Sequence, residues 1–238
     1  VTLVNYYSET GKKVTIPLDP NLSPQENAQR YFKKYAKAKS TYVYTEKQLE
    51  DSLKELEYLE SVVHLLDTCT TLKEIDEVRQ ELSEQGYLTI KKKGRLKKQS
   101  GKNDSLSEPL RFRSSDGFDI YVGKNNRQND YLTLKFAQSK DIWLHTKDIP
   151  GSHVIIRRNG KDIPDRTIEE AAIIAAWHSK ARMSANVPVD YTAVKNVSKP
   201  SGARPGMVIY VNYKTAIVTP DKELVEGLQT SGRYIRKE

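Results

Sequence analysis

The chain has 238 residues, 29% of them charged, and a mean hydropathy of −0.68, which predicts one or two soluble domains at the usual ~100 to 200 residues per domain. No stretch approaches the ~20 consecutive apolar residues that cross a bilayer, so membrane proteins are excluded. The first residues lack the basic flank and apolar core of a signal peptide. The single cysteine, Cys69, excludes an internal disulfide and fits a reducing compartment. We therefore expect a cytoplasmic protein, although the sequence does not begin with methionine, so an upstream targeting signal stays open.

The net charge of +8 is unevenly distributed along the chain. Residues 1–90 carry a net charge of −4, residues 91–109 a net charge of +5 and residues 110–238 a net charge of +7. A polyanion such as RNA is the natural partner of the basic second half, and an anionic lipid surface is the alternative.

Residues 1–23 are predicted to form a β-hairpin at the tip of a long helix. Two short β-prone runs, residues 1–7 and 13–17, flank the polar turn ETGK. Ser23 is expected to be the N-cap of the helix, with Pro24 at the first helical position and Glu26 completing a capping box. An isolated hairpin is only marginally stable in water, so we expect it to rest on another part of the molecule.

A coiled-coil helix is predicted from Pro24 onward. Six heptads stay in register, with charged residues on the outer positions, which is typical of a coiled-coil arm. The a positions are Ala28, Tyr35, Tyr42, Leu49, Leu56 and Val63, and the d positions are Tyr31, Ala38, Thr45, Ser52, Leu59 and Leu66. Such a seam needs a partner, which upstream sequence, a second copy of the chain or another protein would supply. For this chain alone we expect self-association through the coiled-coil helix.

A short helix over residues 72–85 follows the arm, and Gly86 is expected to end it. Residues 24–87 are therefore interpreted as the coiled-coil arm and this short helix. Residues 88–109 lack periodicity and are rich in lysine, glycine and serine, which predicts a basic linker. A flexible arm that contacts phosphates is the alternative.

Residues 110–238 are predicted to form a mixed α/β domain. A hairpin over residues 110–122 is followed by a polar segment, residues 124–130, whose asparagines would cap a helix or contact phosphate, and by a short helix over residues 131–136. Thr167 is expected to be the N-cap of a helix that runs to residue 183. Three strands follow, with a basic loop over residues 195–206 between the first two, and the chain from Gln229 is expected to fray. The predicted fold class is α+β: a long coiled-coil helix with a small β-hairpin, linked to this domain.

The stretch DIWLHTKDIPGSHVIIRR, residues 141–158, concentrates the unusual chemistry of the sequence. Asp141, Trp143 and His145 alternate with aliphatic residues in its first strand, so an acid, an indole and an imidazole share one strand face. We expect these rings, and that of His153 across the turn, to be open to solvent. Trp143 would stack on a base, and His145, His153 and Ser152 would bind phosphate or 2′-hydroxyl groups. The cations expected to neutralise phosphates are Lys147, Arg157, Lys195, Lys199 and Arg204.

Three other interpretations of this stretch stay open. Asp141, His145 and His153 would suit a divalent metal ion, but neither an HExxH motif nor a cysteine pair is present. Ser152 would be a nucleophile beside a histidine, but no GxSxG elbow surrounds it. Asp141 would otherwise orient an imidazole while Trp143 packs half-buried. We expect a binding module that is not an enzyme and has no metal or other cofactor.

Long segments of the chain resemble the NFACT family. DIWLHTKDIPGSHVIIR, EEAAIIAAWHSKAR and VDYTAVKNVSKPSGARPGMVIYVNYKT are similar to the NFACT-R domain, and LDPNLSPQENAQRYFKKYAKAK with its heptads resembles the downward arm and tip of the family's middle coiled coil. Together these segments cover nearly the whole chain. By this resemblance, the signature of the domain is Asp141, Trp143, His145, Gly151, Ser152 and His153, and its basic loop includes Lys195, Lys199 and Gly202.

The resemblance implies the RNA-binding C-terminal part of a ribosome quality control factor. Such factors bind stalled large ribosomal subunits that carry peptidyl-tRNA, with tRNA and rRNA as partners, and direct C-terminal alanine tails onto the nascent chain. The family's N-terminal tRNA-reading domain, helix-hairpin-helix segment and upward arm are absent from this sequence, so tailing is not expected of it alone. The alternative implied by the family is a cell-surface adhesin that binds fibronectin, and the lack of a signal peptide argues against it.

Overall fold

The computed structural model of the chain describes residues 1–89 and 107–230. The predicted basic linker, residues 88–109, lies mostly outside these ranges, as does the tail beyond residue 230. The chain divides into two compact units, Val1–Glu55 and Leu56–Glu238. One continuous helix, α1 (Pro24–Thr68), contributes residues to both units. No helix within the described ranges is both long enough and apolar enough to span a bilayer.

The first unit contains a β-hairpin and the first part of α1. Strands β1 (Thr2–Val4) and β2 (Lys13–Thr15) pair antiparallel, as the sequence predicts. The predicted capping box is also present, since the backbone N–H of Glu26 donates to Ser23 Oγ (3.3 Å) and the backbone N–H of Ser23 donates to the Glu26 carboxylate (2.7 Å). Hydrogen bonds from both Ser23 groups lower the pKa of Glu26.

Asn27 holds the segment between the hairpin and the helix in place. It is 3% exposed, and its Oδ1 accepts a hydrogen bond from the backbone N–H of Asp19 (2.8 Å). Its Nδ2 donates to three backbone carbonyls between residues 19 and 23, at 3.0 to 3.1 Å. The Tyr31 hydroxyl adds a bond to the carbonyl of Pro17 (2.6 Å). The segment that follows the hairpin is thus fixed on the first turns of α1.

The a positions of the heptad seam of α1 are exposed within each unit, whereas the d position Leu59 is partly buried. Tyr35, Tyr42 and Leu49 in the first unit are each more than half exposed, and so are Leu56 and Val63 in the second. Within each unit, the described residues therefore supply no second helix that covers these a positions. A partner for the seam, which the sequence predicts, would have to come from beyond those ranges or from another chain.

The end of α1 that belongs to the second unit packs through a different face. Tyr58 and Val62 are buried and lie four residues apart, so they share one side of the helix. They form a small core with Val78 of α2 (Leu72–Glu84). Gly86, with φ of 83°, follows α2 and supplies the left-handed conformation that commonly ends a helix.

Three carboxylates of α2 bind the polar segment that leads into α3 (Asn126–Tyr131). Residues 124–126 each contact one buried carboxylate, and these carboxylates are three or four residues apart on α2. The pairs are Lys124 with Glu74 (2.9 Å), Asn125 with Glu77 (2.6 Å) and Asn126 with Glu81 (3.0 Å). Asn125 also caps α3, so of the two roles considered for this segment, helix capping and phosphate contact, the structure shows capping at Asn125. Its asparagines are buried, so they bind the protein itself.

A six-stranded sheet forms the body of the second unit, and its strand order is β10-β7-β5-β6-β4-β3. Every pair of neighbours is antiparallel. The strands are β3 (Leu110–Arg113), β4 (Asp119–Val122), β5 (Ile142–Thr146), β6 (Val154–Ile156), β7 (Val187–Ala193) and β10 (Lys214–Val218). A separate two-stranded ladder consists of β8 (Val197–Ser198) and β9 (Ile209–Tyr210). The predicted α+β class is confirmed.

Both faces of this sheet are covered. The helices α4 (Asp165–Trp177) and α5 (Lys222–Leu228) pack on one face, where the small alanine side chains of α4 are buried in the larger core. The other face carries a π-helical turn, Leu132–Phe136, together with residues of β8, β9 and the loop between them. The central strand β5 is consequently buried on both sides, as strands of a covered sheet are.

The predicted start and end of the α4 helix are wrong. The helix begins at Asp165, directly after Pro164, and Thr167 lies inside it and is fully buried. The Thr167 hydroxyl donates to the Asp116 carboxylate (2.9 Å) in the turn between β3 and β4, so it ties the helix to that turn. The helix ends at Trp177, before the residue 183 that the charge pattern indicated.

The prediction of a frayed tail from Gln229 is wrong for its first two residues. Gln229 forms an isolated antiparallel bridge with Phe112 of β3. The backbone N–H of Thr230 donates to the carbonyl of Arg111 (3.1 Å). β3 is the edge strand, so its free backbone groups are available for this pairing.

Candidate nucleic-acid interface

The stretch with the unusual chemistry forms two central strands of the sheet. β5 and β6 pair antiparallel around the turn at residues 147–153, as the sequence predicts. β5 also pairs with β7 along its whole length. Asp141, Trp143 and His145 do share one side of the chain, but that side faces the second protein layer.

The prediction that the rings are open to solvent is wrong. Trp143 is fully buried and His153 is 1% exposed. The Trp143 ring lies 4.8 Å from the Tyr210 ring of β9 and 5.2 Å from the His153 ring, measured between centroids. His145 stacks on Trp143 at 5.8 Å and is half-buried. The physical reason is the second layer, which covers this face and leaves no surface of the indole for a base.

The two histidines of the stretch are held neutral at pH 7. Burial lowers the pKa of His145 to about 4, and burial together with the neighbouring His145 lowers the pKa of His153 well below its usual range. The Nδ1 of His153 shares a hydrogen bond with the Thr133 hydroxyl (2.7 Å), and its backbone N–H donates to Asn129 Oδ1 (3.0 Å). These imidazoles therefore add no positive charge that would attract phosphate.

Asp141 organises the loops at one end of the sheet. It is 1% exposed, and its carboxylate accepts hydrogen bonds from the backbone N–H groups of Gln138 and Arg158, both at 2.8 Å. The Arg157 guanidinium pairs with the same carboxylate (3.1 Å) and donates to the carbonyl of Phe136 (2.8 Å). The contacts of both Asp141 and Arg157 are thus internal to the protein.

Gly151 and Ser152 of the signature contact the chain that follows α4. A Cβ atom on Gly151 would lie 2.8 Å from Thr146 Oγ1 and 2.9 Å from Ser179 Cβ, so only glycine fits this close approach. The backbone N–H of Ser152 donates to the carbonyl of His178 (3.0 Å). The close approach explains the glycine by packing, and the Ser152 contact is a backbone contact.

The metal interpretation finds no support in the geometry. Within residues 1–89 and 107–230, no group of three or more histidine, cysteine or acidic side chains is arranged to hold a metal ion. Asp141 and His153, two of the three candidate ligands, instead bind partners from the surrounding fold.

The basic residues that were predicted to bind phosphates differ in what they contact. Lys199 pairs with Asp130, and the Arg204 guanidinium lies 5.0 Å and 5.1 Å above the Tyr58 and Tyr87 rings. Both cations therefore already contact side chains of the protein itself.

Of the remaining predicted site residues of the loops, Lys195 and Gly202 are exposed and Lys147 is half-buried. The Lys147 ammonium lies 5.7 Å from the centre of the Tyr213 ring. Lys195 is exposed, and Gly202, with φ of 77°, lies in an exposed turn with open space around it. Of these residues, Lys195 is the cation best placed to meet a polyanion.

The structure adds two cations that the sequence did not single out. Lys140 lies just before β5 and Lys214 is the first residue of β10, and both are exposed. The backbone N–H of Lys195 donates to the carbonyl of Ser139 (3.1 Å), which places Lys195 beside Lys140. Their positions at strand ends are the signal in the sequence that would have drawn attention to them, because side chains at strand ends reach solvent even in a sheet covered on both faces.

Two family descriptions match the chain over most of its length. Residues 1–101 match the NFACT N-terminal and middle domains, and residues 109–212 match the NFACT protein RNA binding domain. The fold and this match define the class of protein: an α+β RNA-binding domain joined to a helix of the coiled-coil type. The chain belongs to the NFACT family.

Several relatives are similar to nearly the whole chain. The Rqc2 homolog RqcH of Bacillus subtilis is 48% identical over 96% of the chain, and RqcH of Streptococcus suis is 44% identical over 96%. The alignments cover 39% and 40% of these relatives, so the chain spans about two-fifths of their length. The solved C-terminal part of the fibronectin/fibrinogen-binding protein of Streptococcus suis matches with a TM-score of 0.76 and 41% identity, covering 87% of the chain and 80% of that structure.

Proposed function

We propose that the chain is the RNA-binding part of a ribosome quality control factor and that it binds the large ribosomal subunit through tRNA and rRNA. The observation that carries this proposal is the match of residues 109–212 to the NFACT RNA binding domain. The identity to RqcH over 96% of the chain supports the ribosomal setting. The chain acts as a binding module in the cytoplasm, without a catalytic step of its own.

The charge of the second half of the chain supports the same proposal. Residues 110–238 carry a net charge of +7, and an excess of this kind attracts polyanions. Binding through phosphates releases counterions, so the affinity falls as salt rises. The affinity for RNA should therefore be electrostatic and insensitive to base sequence.

Fluorescence anisotropy with labelled tRNA at several salt concentrations tests the proposal. The logarithm of the association constant should fall linearly with the logarithm of the salt concentration, with a slope of about −2 to −4 for three to five phosphate contacts. Poly-glutamate at the same charge concentration is the control and should compete weakly. Absence of tRNA binding at low salt, or binding that ignores salt, would contradict the proposal.

Alanine tailing is proposed for a protein of the relatives' length, because the chain spans only about two-fifths of RqcH. Within such a protein this part would contribute to holding the obstructed subunit. Co-sedimentation of the chain with purified large subunits, with and without bound peptidyl-tRNA, measures that contribution. If the same amount of the chain reaches the pellet with and without large subunits, this contribution is ruled out.

Fibronectin binding is the second candidate function, and the likeness to the Streptococcus suis protein favours it. Immobilised fibronectin and large ribosomal subunits should be offered to the same preparation of the chain. Capture by fibronectin at physiological salt, without co-sedimentation with subunits, would support the adhesin and reject the ribosomal role.

Self-association through the seam of α1 is also proposed. The large side chains at the a positions of the seam are more than half exposed, and a coiled-coil face of this kind is stabilised by burial against a second helix. Light scattering should give a mass above that of one chain, 27.2 kDa. A mass that stays monomeric across a concentration series would remove this part of the proposal.

A further inference from the structure

Three exposed lysines lie together at one end of the six-stranded sheet. Lys140 precedes β5, Lys195 lies in the 3-10 turn that follows β7, and Lys214 opens β10. Because β5 and β10 each pair antiparallel with β7, the end of β7 lies beside the starts of both. We refer to Lys140, Lys195 and Lys214 as the lysine group.

Backbone hydrogen bonds join the turns that carry the lysine group. The N–H of Lys195 donates to the carbonyl of Ser139 (3.1 Å), and the N–H of Val211 donates to the carbonyl of Asn196 (3.2 Å). Two strand spacings of ~4.8 Å separate β10 from β5, and Lys214 pairs with Tyr191 of β7, four residues before Lys195, which adds about 10 Å along the strands. The group therefore extends over about 15 Å, and because a nucleic acid duplex carries one charge per ~3.4 Å of each strand, this span corresponds to about four phosphates.

Among the residues that the structure describes, the lysine group has no acidic partner. Within the described ranges, no carboxylate lies within ion-pair distance of any of the three ammonium groups. Other cations at or near this end do have partners, such as Arg157 with Asp141 and Lys199 with Asp130. The fold therefore leaves this group of like charges for an external anion to neutralise.

The acidic side chains nearest in the strand pairing are not available to that anion-binding surface. Asp141, beside Lys140, is buried and bound by Arg157 and backbone groups. Asp190 of β7 is fully buried, and it accepts hydrogen bonds from the hydroxyls of Tyr210 (2.8 Å) and Thr215 (2.6 Å). These two acids therefore do not compete with an external anion, whereas the Asp162 carboxylate, which pairs with Arg158, is exposed.

An exposed aromatic ring directly precedes Lys214 in the chain. Tyr213, the residue before Lys214, is 45% exposed. The Tyr210 ring lies edge-on to it, with 5.2 Å between centroids and an interplanar angle of 76°, and so supports it from one side. The Lys147 ammonium lies 5.7 Å from its centre. A ring held in this way, with one cation beside it and Lys214 next to it in the chain, is a platform on which a base can stack.

We propose that the lysine group binds the phosphate backbone of RNA and that Tyr213 stacks on an adjacent unpaired base. This proposal rests on the RNA-binding function and identifies the surface that performs it. The buried signature of β5 and β6 then has a supporting role, since Asp141 fixes the turns that carry Lys140 and Lys195. Recognition by phosphates and one stacked base requires no particular base sequence, which suits a partner made of structured RNA.

A charge-reversal variant tests the phosphate contacts. Lys140→Glu/Lys195→Glu/Lys214→Glu should weaken tRNA binding by on the order of 10- to 100-fold at low salt and reduce the salt slope by about 2 to 3. The matched control reverses three exposed cations elsewhere in the same unit, Arg113→Glu/Lys180→Glu/Lys222→Glu. The control has the same net charge and should lose less than threefold in affinity, with its slope nearly unchanged.

A substitution at Tyr213 tests the stacking contact. Tyr213→Ala should weaken binding of an unstructured RNA by about 5-fold or more, as expected for one stacked base, whereas Tyr213→Phe should keep the affinity. Tyr131→Ala is the control, because Tyr131 is exposed to a similar degree, 43%. Circular dichroism and thermal unfolding of each variant establish that the affinities compare folded proteins.

The outcomes separate the surface from the function. If the unaltered chain does not bind tRNA, the proposed function fails. If it binds and both triple variants lose affinity equally, the function stands and the lysine group is rejected as the binding surface. If the lysine variant keeps tRNA affinity but no longer co-sediments with large subunits, the group contacts protein, and the RNA assignment is overturned.

Discussion

Two glycines of the basic loop should respond very differently to alanine. Gly202 and Gly206 both have left-handed backbones, with φ of 77° and 80°. A Cβ on Gly202 would meet nothing within 4 Å, whereas a Cβ on Gly206 would lie 2.4 Å from Asn126 Oδ1 and 2.8 Å from Asn126 Cγ. Asn126 in turn donates to the buried carboxylate of Glu81 (3.0 Å). The pair therefore separates backbone strain from loss of this contact.

The expected losses follow from these contacts. Alanine in a left-handed conformation costs about 1 to 2 kcal/mol at either position. At Gly206, overpacking adds about 1 to 3 kcal/mol, and displacing Asn126 from the Glu81 carboxylate adds about 1 to 3 kcal/mol. We expect Gly202→Ala to lower the free energy of unfolding by about 1 to 2 kcal/mol and Gly206→Ala by about 3 to 8 kcal/mol.

Urea unfolding followed by tryptophan fluorescence and circular dichroism measures both losses. A double-mutant cycle with Asn126→Ala adds a test of mechanism, since removing the amide relieves most of the clash. The losses of Gly206→Ala and Asn126→Ala should then be less than additive by about 1 kcal/mol or more. Equal losses for the two glycine variants, or additive losses in the cycle, would refute the reasoning.

Three further predictions concern buried groups of the second unit. Burial raises the pKa of Glu81, so the folded protein keeps a proton that the unfolded chain releases above about pH 4.3, and stability falls as the pH rises from there to the raised pKa. Glu81→Gln should make the urea midpoint less dependent on pH across that window, and an unchanged pH dependence would count against this. The pKa of His145, about 4, should appear as its NMR titration midpoint, and stability should fall as the pH drops from about 6.5 toward that value; a midpoint near 6.5 would contradict the burial. In a Trp177→Phe background, Trp143 emission should resist iodide quenching and should not change when tRNA is added, and strong quenching by either would show an accessible indole.

The local structure of this chain could be predicted from its sequence to a large extent. The alternation in residues 142–146 predicts β5, and Ser23 with Glu26 predicts the start of α1, because both signals depend on residues close together in the chain. The start of α4 was missed for a local reason. Asp165 and Thr167 both lie near Pro164 in positions that suit a helix start, and the tertiary contact of Thr167 with Asp116 decides between them.

The environment of Trp143 could not be predicted in the same way. Its exposure depends on a second layer formed by residues 126–136 and 197–210, whose apolar residues are too few and too dispersed to show a periodic pattern. The same limit applies to the basic residues. Arg204 and Lys195 lie in one loop and look equivalent in sequence, yet Arg204 packs over Tyr58 and Lys195 remains exposed.

The position of the lysine group depends on buried polar contacts rather than on the sheet alone. Asp141 binds the backbone on both sides of its loop, at Gln138 and Arg158, and the N–H of Val194 donates to the Asp141 carbonyl (2.9 Å). The turns that carry Lys140 and Lys195 are thus attached to one buried residue. Because a buried carboxylate that loses its partners is strongly destabilising, these turns are expected to stay fixed even though they are loops. A family signature that is sealed inside the domain can in this way set the geometry of a binding surface that it does not itself touch.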